Sequence, residues 1–238
     1  MSKRRVPKKI KTLLGINALL LVSIFICSFL LIKRITQPSD GNTSGTAVTR
    51  SLEEDSSSIE WTRVKKPVKL PILMYHSVHN MAESEAANAN LIVDPETFES
   101  QLKALKKAGY YTLTPEEAYR ILAKNEVPKG KKYVWLTFES HTVNHPDLAN
   151  SSLETQKNEL VASKRLLDKV LDQNTSVIVY PSGRYSQVTI DQAKKADYKL
   201  GLTTKNGLAS SADGLYSLKR VRILPTTTGE DLLAMIQE

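Results

Sequence analysis

Short β-rich runs alternate with amphipathic helical segments along most of this sequence, and this alternation constrains the fold more than any other feature. The predicted strands lie at residues 70–75, 110–113, 133–138, 176–180, 198–203 and 218–224. Strands that alternate with helices form parallel sheets. The sequence therefore predicts an α/β fold with a largely parallel sheet.

Capping signals set the starts of the predicted helices. Asp94 opens a helix that Gly109 ends, and Thr114 with Glu117 forms a capping box for a helix that runs to residue 124. Ser151 is predicted to cap a long third helix. Two further helices are predicted at 188–196 and 229–237, whereas residues 80–90 are predicted to form a loop.

A charge-free apolar run at 13–32 predicts a transmembrane helix. Six basic residues precede this run, which places the N-terminus in the cytoplasm and the rest of the chain outside. A cleaved signal peptide is the alternative, but the run ends in Lys33 and Arg34 and not in the small residues of a cleavage site. We expect a single-pass membrane protein with a cytoplasmic tail at 1–12, an anchor at 13–32, a flexible extracellular linker at 33–60 and a domain at 61–238.

The net charge of +8 comes from the N-terminal end of the chain. Residues 1–34 hold eight basic residues and no acidic one, and beyond them 25 basic residues balance 25 acidic ones. A neutral domain lacks the electrostatic footprint of a nucleic-acid-binding protein, so no nucleic-acid partner is expected. Cys27 is the only cysteine and lies within the predicted anchor, which leaves the domain without a disulfide or a catalytic thiol.

Three of the four histidines follow predicted strands closely. His76 comes after the first strand, and His141 and His145 follow the strand at 133–138. Pro146 disfavours helix at His145, so the pair is predicted to lie in a loop. Two imidazoles this close in sequence suit a divalent metal such as zinc, and the alternative is a pair of surface histidines in a polar turn. His79 is predicted to be a solvated loop residue.

Four segments in series also carry a family pattern: PILMYH at 71–76, VWLTF at 134–138, SHTVNHPDL at 140–148 and YPSG at 180–183. Together they resemble the NodB-homology polysaccharide deacetylases, in particular the branch that acts on poly-N-acetylglucosamine. The resemblance covers most of residues 68–225.

The resemblance implies a distorted (β/α) barrel that binds one zinc or similar ion. In the family an aspartate and two histidines hold the ion, and the histidines correspond to His141 and His145. Water attacks an N-acetyl carbonyl there, a second aspartate acts as general base, and a backbone N–H that corresponds to Ser182 helps to hold the oxyanion. The residues expected to contact substrate are His76, Tyr180, Pro181, Gly183 and Tyr185.

The sequence departs from the family where the catalytic aspartates are expected. Phe138 is followed directly by Glu139 and then by the histidine segment, so both aspartates and the segment after them are missing. Residues 60–238 also suffice for only about six of the eight units of a barrel. We infer an internal deletion between Phe138 and Glu139 and an incomplete barrel. Glu139 is a candidate replacement for one acid.

Three functions are therefore open. The first is a membrane-anchored, metal-dependent deacetylase that hydrolyses N-acetyl groups of a cell-surface or cell-wall N-acetylglucosamine glycan. The second is a catalytically inactive remnant that at most binds glycan. The third is a weak metal-binding surface protein.

Overall fold

A computed structural model describes residues 59–136 and 139–237 of the chain. The predicted tail and anchor, and nearly all of the predicted linker, lie outside these residues and stay predictions, as does the inferred junction after Phe138. Within the described ranges, no helix is both long enough and apolar enough to cross a bilayer.

Short strands and five α-helices make up the described part of the chain. The strands are β1 (Trp61–Arg63), β2 (Lys69–Leu70), β3 (Leu73–Met74), β4 (Ser77–Val78), β5 (Ile92–Val93), β6 (Tyr110–Thr112), β7 (Glu126–Pro128), β8 (Lys132–Val134), β9 (Val177–Val179), β10 (Leu200–Asn206), β11 (Ala209–Ser210) and β12 (Leu218–Arg222). The helices are α1 (Pro95–Lys107), α2 (Pro115–Lys124), α3 (Leu153–Leu171), α4 (Gln187–Lys195) and α5 (Gly229–Ile236). Short 3₁₀ segments lie at Glu83–Leu91, Leu148–Asn150, Pro181–Gly183 and Ser211–Asp213.

A parallel sheet forms the centre of the domain. Its middle strands follow the order β3-β12-β10-β9, and every pair among them is parallel. Trp135, which continues β8, pairs in parallel with Ile72 and so joins β8 and β6 to the β3 side. Ser140 pairs in parallel with Ile178 on the β9 side. The sheet order is therefore β6-β8-β3-β12-β10-β9-Ser140, which confirms the predicted α/β fold.

This sheet must curl, because two residues close in sequence lie near its opposite edges. Trp135 and Ser140 are separated by five strand spacings, or roughly 24 Å along the sheet. A chain can span at most about 18 Å over those five residue steps. The sheet therefore bends into a half-barrel. Within the described residues it does not close, since β6 pairs only with β8.

Buried apolar side chains pack both faces of the curled sheet. Trp135, Leu200 and Leu218 are almost completely buried and form one cluster with Ile121 of α2. A second cluster lies against α1 and α5, and a third lies against α3 and α4. Each such side chain contributes about 1.5–3 kcal/mol when it is fully removed from water.

Two predicted helix starts are confirmed by their hydrogen bonds. Asp94 accepts from the Thr97 N–H at 2.9 Å at the start of α1. Thr114 and Glu117 form the reciprocal capping box at the start of α2. Both signals are local, because each cap reaches only three residues along the chain.

Other local predictions require correction. The cap of α3 is Ser152, whose side chain accepts from the Thr155 N–H, and not Ser151. The predicted loop at 80–90 contains the 3₁₀ segment Glu83–Leu91. The predicted strand at 70–75 is divided between β2, which pairs antiparallel with β11, and β3, which pairs with β12.

Candidate active site

The histidine segment begins as an extension of the sheet and then turns away from it. The Val179 N–H donates to Ser140 O at 2.8 Å, which aligns residue 140 with β9. Thr142 and His145 then adopt positive φ angles of 65° and 52°. The His145 N–H donates to Thr142 Oγ1 at 3.1 Å and closes the turn. The pair therefore lies in a loop, as Pro146 predicts.

The two imidazole rings of this loop are in edge-to-face contact. Their centroids are 4.8 Å apart and their planes are inclined by 72°. His141 Nδ1 lies 2.7 Å from Val179 O, and since a carbonyl only accepts, Nδ1 carries the hydrogen and Nε2 is left to bind a ligand. Two imidazoles that hold one tetrahedral zinc at 2.0–2.1 Å place their ring centroids about 5 Å apart. The pair therefore fits two positions of a zinc site.

The described residues do not supply a third protein ligand. Over 59–136 and 139–237, no group of three or more His, Cys, Asp or Glu side chains could hold a metal ion. A catalytic zinc is usually held by three protein ligands and one water. The predicted divalent metal stays a prediction, with His141 and His145 as its two candidate ligands.

The surroundings of His141 favour its neutral form. Burial is the largest effect and lowers its pKa, the hydrogen bond to Val179 O raises it, and the charges of His145, Arg220 and His76 lower it further, so that the net pKa lies below the ordinary value. Neutral imidazole is the form that binds metal ions. These effects also place His76 and Arg220 near His141, although His76 itself is exposed.

The segment after β9 forms a tight turn beside the histidines. Ser182 and Gly183 have positive φ angles of 53° and 68°. A Cβ on Gly183 would collide with Thr204 Oγ1 and lie 2.8 Å from Thr204 N, so only glycine fits there. The N–H groups of Gly183 and Arg184 donate to Tyr180 O and Pro181 O, whereas among the described residues the Ser182 N–H has no backbone acceptor. This arrangement leaves the Ser182 N–H available for the predicted oxyanion role.

An ion pair ties this turn to the histidine loop. Arg184 Nε lies 2.8 Å from Asp147 Oδ2, two residues after His145. Asp147 also accepts from the Ala149 N–H and the Asn150 side chain. Because both Arg184 and Asp147 are partly exposed, the pair contributes little stability but helps to hold the two loops together.

The prediction that Tyr180 and Pro181 contact substrate is wrong for their side chains. Both are buried, and Tyr180 has no exposed surface. The Tyr180 hydroxyl donates to Tyr216 O at 3.1 Å, and its ring stacks on Tyr185 with centroids 4.6 Å apart. The buried Tyr180 side chain therefore packs under the turn and supports it. Tyr185 is partly exposed, so it is the tyrosine of this pair that can contact a ligand.

Comparison with known proteins identifies the family of this chain. Residues 136–201 match the family model described as Polysaccharide deacetylase. The chain is 32% identical to the Putative polysaccharide deacetylase YxkH of Bacillus subtilis, with 78% of this chain and 81% of the relative covered. The chain belongs to the polysaccharide deacetylase family.

Solved structures of deacetylases have the same fold. The Streptococcus pyogenes deacetylase PplD, solved in complex with acetate, is 41% identical and superposes with a TM-score of 0.67, covering 73% of this chain and all of that one. A polysaccharide deacetylase from Bacillus cereus is 26% identical with a TM-score of 0.58, covering 72% of this chain and 70% of that one. The IcaB structure from Ammonifex degensii, at 16% identity and a TM-score of 0.56, shares the fold. The resemblance found in the sequence is thereby confirmed.

The remaining predicted residues have different placements in this deacetylase-family domain. Glu139 is partly buried and contributes to the raised pKa of Tyr198, but it is not among the groups that shift the pKa of His141. Its role as a replacement acid stays a prediction. His79 keeps 38% of its side chain exposed, and its ring also contacts Ser77 Oγ at 2.8 Å and the Glu85 carboxylate at 3.0 Å.

Sequence reasoning missed a buried cation near the histidines. Arg220 of β12 is 9% exposed, and its Nε donates to Thr203 O at 2.8 Å. Burial, with a smaller contribution from Arg222, lowers the pKa of Arg220 to about 10. No carboxylate forms an ion pair with Arg220 in the part of the chain that the structure describes. Buried arginines are normally paired, so this one is unusual.

Proposed function

We propose that this chain is a membrane-anchored, metal-dependent polysaccharide deacetylase that acts on an N-acetylglucosamine glycan of the cell surface or wall. The observation that carries the proposal is the pair of imidazoles in edge-to-face contact, His141 and His145, at the carboxyl-end edge of a curled parallel sheet. Their separation of 4.8 Å and the orienting bond from His141 Nδ1 to Val179 O support a metal site there. Family membership supplies the reaction class.

In this proposal each residue has a distinct task in the hydrolysis. His141 and His145 hold the divalent ion, which when bound polarises the N-acetyl carbonyl and acidifies water. The Ser182 N–H donates to the carbonyl oxygen as negative charge develops on it. The C–N bond of the amide breaks, acetate leaves with the oxygen of water, and the sugar keeps a free amine. His76 and Tyr185 are the remaining candidates for contacts with the sugar.

Two observations support the deletion and favour the second candidate, a catalytically inactive remnant that at most binds glycan. Arg220 is buried within electrostatic range of His141 and has no carboxylate partner among the described residues, which is the situation that loss of a carboxylate would leave. The alignment with the Bacillus subtilis relative is 237 residues long, yet 78% of this 238-residue chain is about 186 residues, so about 50 aligned positions lack a counterpart here. The deletion itself stays a prediction. Loss of a positioned general base typically costs a factor of about 10²–10⁴ in rate.

The test is release of acetate from N-acetylglucosamine oligomers by the detergent-solubilised full chain, with and without added Zn²⁺ or Co²⁺. We expect slow, metal-dependent release by the wild type and none by His141→Ala. His79→Ala is the matched control, because His79 contacts Ser77 and Glu85 instead of the site, and it should keep the wild-type rate. If a folded wild type releases no acetate at any metal concentration, the chain is the inactive remnant.

Anchoring is tested separately by cell fractionation. The full chain should sediment with membranes and resist extraction by high salt and alkaline carbonate. A chain that starts at residue 35 should be released into the soluble fraction. Recovery of the full chain in the soluble fraction would refute the anchor.

A further inference from the structure

A buried carboxylate from a different element holds the loop between the two histidines. Glu159 of α3 is 9% exposed, and its Oε2 accepts from the N–H groups of Val143 at 2.8 Å and Asn144 at 2.9 Å. Its Oε1 accepts from Asn144 Nδ2 at 2.6 Å. All three donors lie between His141 and His145. The Glu159 carboxylate therefore binds the middle of the loop that carries His141 and His145.

These donors are the partners that compensate the buried charge of Glu159. Among the described residues no lysine, arginine or histidine pairs with it. Burial alone raises the pKa of Glu159, but the hydrogen bonds from the Asn144 side chain and from the Asn144 and Val143 N–H groups outweigh it, so the net pKa lies below the ordinary value. Successive backbone N–H groups that converge on one anion bind it strongly.

The loop has a conformation that its residues do not prefer on their own. Thr142, with a branched Cβ, has a φ of 65°, and His145 has a φ of 52°. Left-handed backbone is costly at a β-branched residue such as Thr142 and less so at a histidine, and at Thr142 it persists only when the surrounding contacts enforce it. The two strained residues flank Val143 and Asn144, the residues that Glu159 binds. The hydrogen bonds to Glu159 thus offset the strain that brings the two rings into edge-to-face contact.

We propose that Glu159 is a positioning residue that sets the separation of His141 and His145 and thereby the metal affinity of the pair. The inference rests on the proposed metal-dependent function. It gives α3 a role in the site, because Glu159 lies on this helix and outside the segment that carries the two histidines. Glu159 reaches no ligand directly and acts through the loop. Its effect should therefore appear in metal binding and in loop geometry.

The conservative variant is Glu159→Gln. Glutamine keeps the size of the side chain but replaces one acceptor oxygen by a donor NH₂ group, so it must face at least one of the three donors unfavourably. The matched control is Asp168→Asn on the same helix. Asp168 also accepts from a backbone N–H, that of Thr175 at 2.6 Å, but it lies away from the histidine loop.

The measurement is the Co²⁺ affinity of the full chain in detergent, followed by the visible absorption of bound Co²⁺ and by competition with a chromophoric chelator. We expect Glu159→Gln to bind Co²⁺ about 10–100-fold more weakly, as changes in supporting partners of metal ligands typically do. Asp168→Asn should bind within about twofold of the wild type, and His141→Ala should not bind. Wild-type affinity and an unchanged Co²⁺ spectrum in Glu159→Gln would overturn the proposal.

A metal-free measurement separates this proposal from the proposed function. The wild type should show an NMR contact between the rings of His141 and His145, and amide exchange at Val143 and Asn144 should be slow. Both features should be lost in Glu159→Gln and kept in Asp168→Asn. If the wild type binds no metal, the metal-dependent function fails, but this comparison still decides the role of Glu159, and unchanged ring contacts in Glu159→Gln would refute it.

A second variant covers the case in which Glu159→Gln does not fold. Asn144→Ala removes an exposed side chain and one of the three donors while the buried carboxylate stays intact. We expect a smaller loss of Co²⁺ affinity, of about three- to tenfold, and a small decrease in the unfolding midpoint, because the carboxylate keeps two of its three donors. No change in Co²⁺ affinity would show that the hydrogen bonds from the loop to Glu159 do not control metal binding by the histidine pair.

Discussion

Replacement of Arg220 tests whether the site lacks an acid. Its guanidinium is buried near His141, donates from Nε to Thr203 O and forms no ion pair within the described residues. When a buried charge has a partner, its removal destabilises a protein strongly; when it has none, an apolar residue of similar size can increase stability. Arg220→Met should therefore lower stability if Arg220 has a charged partner and raise stability if it has none.

The magnitude follows from the pKa. Burial, with a smaller contribution from Arg222, lowers the pKa of Arg220 from its ordinary value to about 10, which corresponds to about 3 kcal/mol against the charged form. The variant also loses the hydrogen bond to Thr203 O, which costs about 1.5 kcal/mol. The net expectation is that Arg220→Met raises the free energy of unfolding by about 1–2 kcal/mol, or the midpoint temperature by about 2–8 °C.

Urea unfolding of the full chain in detergent at pH 7, with a chelator present, measures this change. Arg222→Met is the matched control, since it removes the same charge from the same strand at a partly exposed position, and it should change stability by less than about 0.5 kcal/mol. Formate, compared with chloride at equal ionic strength, should raise the midpoint of the wild type but not that of Arg220→Met. A loss of more than about 1 kcal/mol in Arg220→Met would show that Arg220 has a partner and would refute the argument for a missing acid.

Three further changes have defined outcomes. Thr114→Ala should lower the free energy of unfolding by about 1 kcal/mol in urea, because the N-cap of α2 loses its acceptor. Gly183→Ala should cost about 1–3 kcal/mol and abolish any acetate release, because the new Cβ meets Thr204 in a backbone region that alanine disfavours. The pKa of Asp168 lies below the ordinary value, since hydrogen bonds from Thr175 and Lys164 outweigh the effect of burial. The stability that the Asp168 carboxylate contributes is therefore present above about pH 4, and it is lost as the pH falls through the pKa of Asp168 in the folded protein. Asp168→Asn should accordingly destabilise the chain by about 1–2 kcal/mol at pH 7 and by progressively less below pH 4 in acid-titrated urea melts.

The predicted fold agrees with the structure where the signals are local. Asp94 and Thr114 each satisfy an N–H three residues ahead, so the sequence alone locates the starts of α1 and α2. The order of strands and helices likewise predicts a parallel sheet. Strand bounds agree less well: the predicted strand at 70–75 is split, because where a strand pairs depends on its neighbours in space.

Some features of the candidate site were likewise predictable from the sequence, and others were not. The spacing of His141 and His145 and the proline after them predict a loop with two imidazoles, and the structure brings the rings to 4.8 Å. Tyr180 had the same sequence signal as Tyr185, yet one is fully buried and the other partly exposed. A motif does not state which of its side chains reaches solvent, since burial depends on all the elements that pack around it.

The sequence by itself determined the alternating fold, the caps of α1 and α2, the histidine pair and the family, because each depends on residues within a few positions or on a pattern of short segments. Only the tertiary structure decided that Glu159 holds the histidine loop from 15 residues away and that Arg220 is buried with no carboxylate partner among the described residues. The residue type alone does not show whether a carboxylate or a guanidinium is solvated or buried. Its role is decided by the donors, acceptors and charges that folding places around it, and these come from distant parts of the chain.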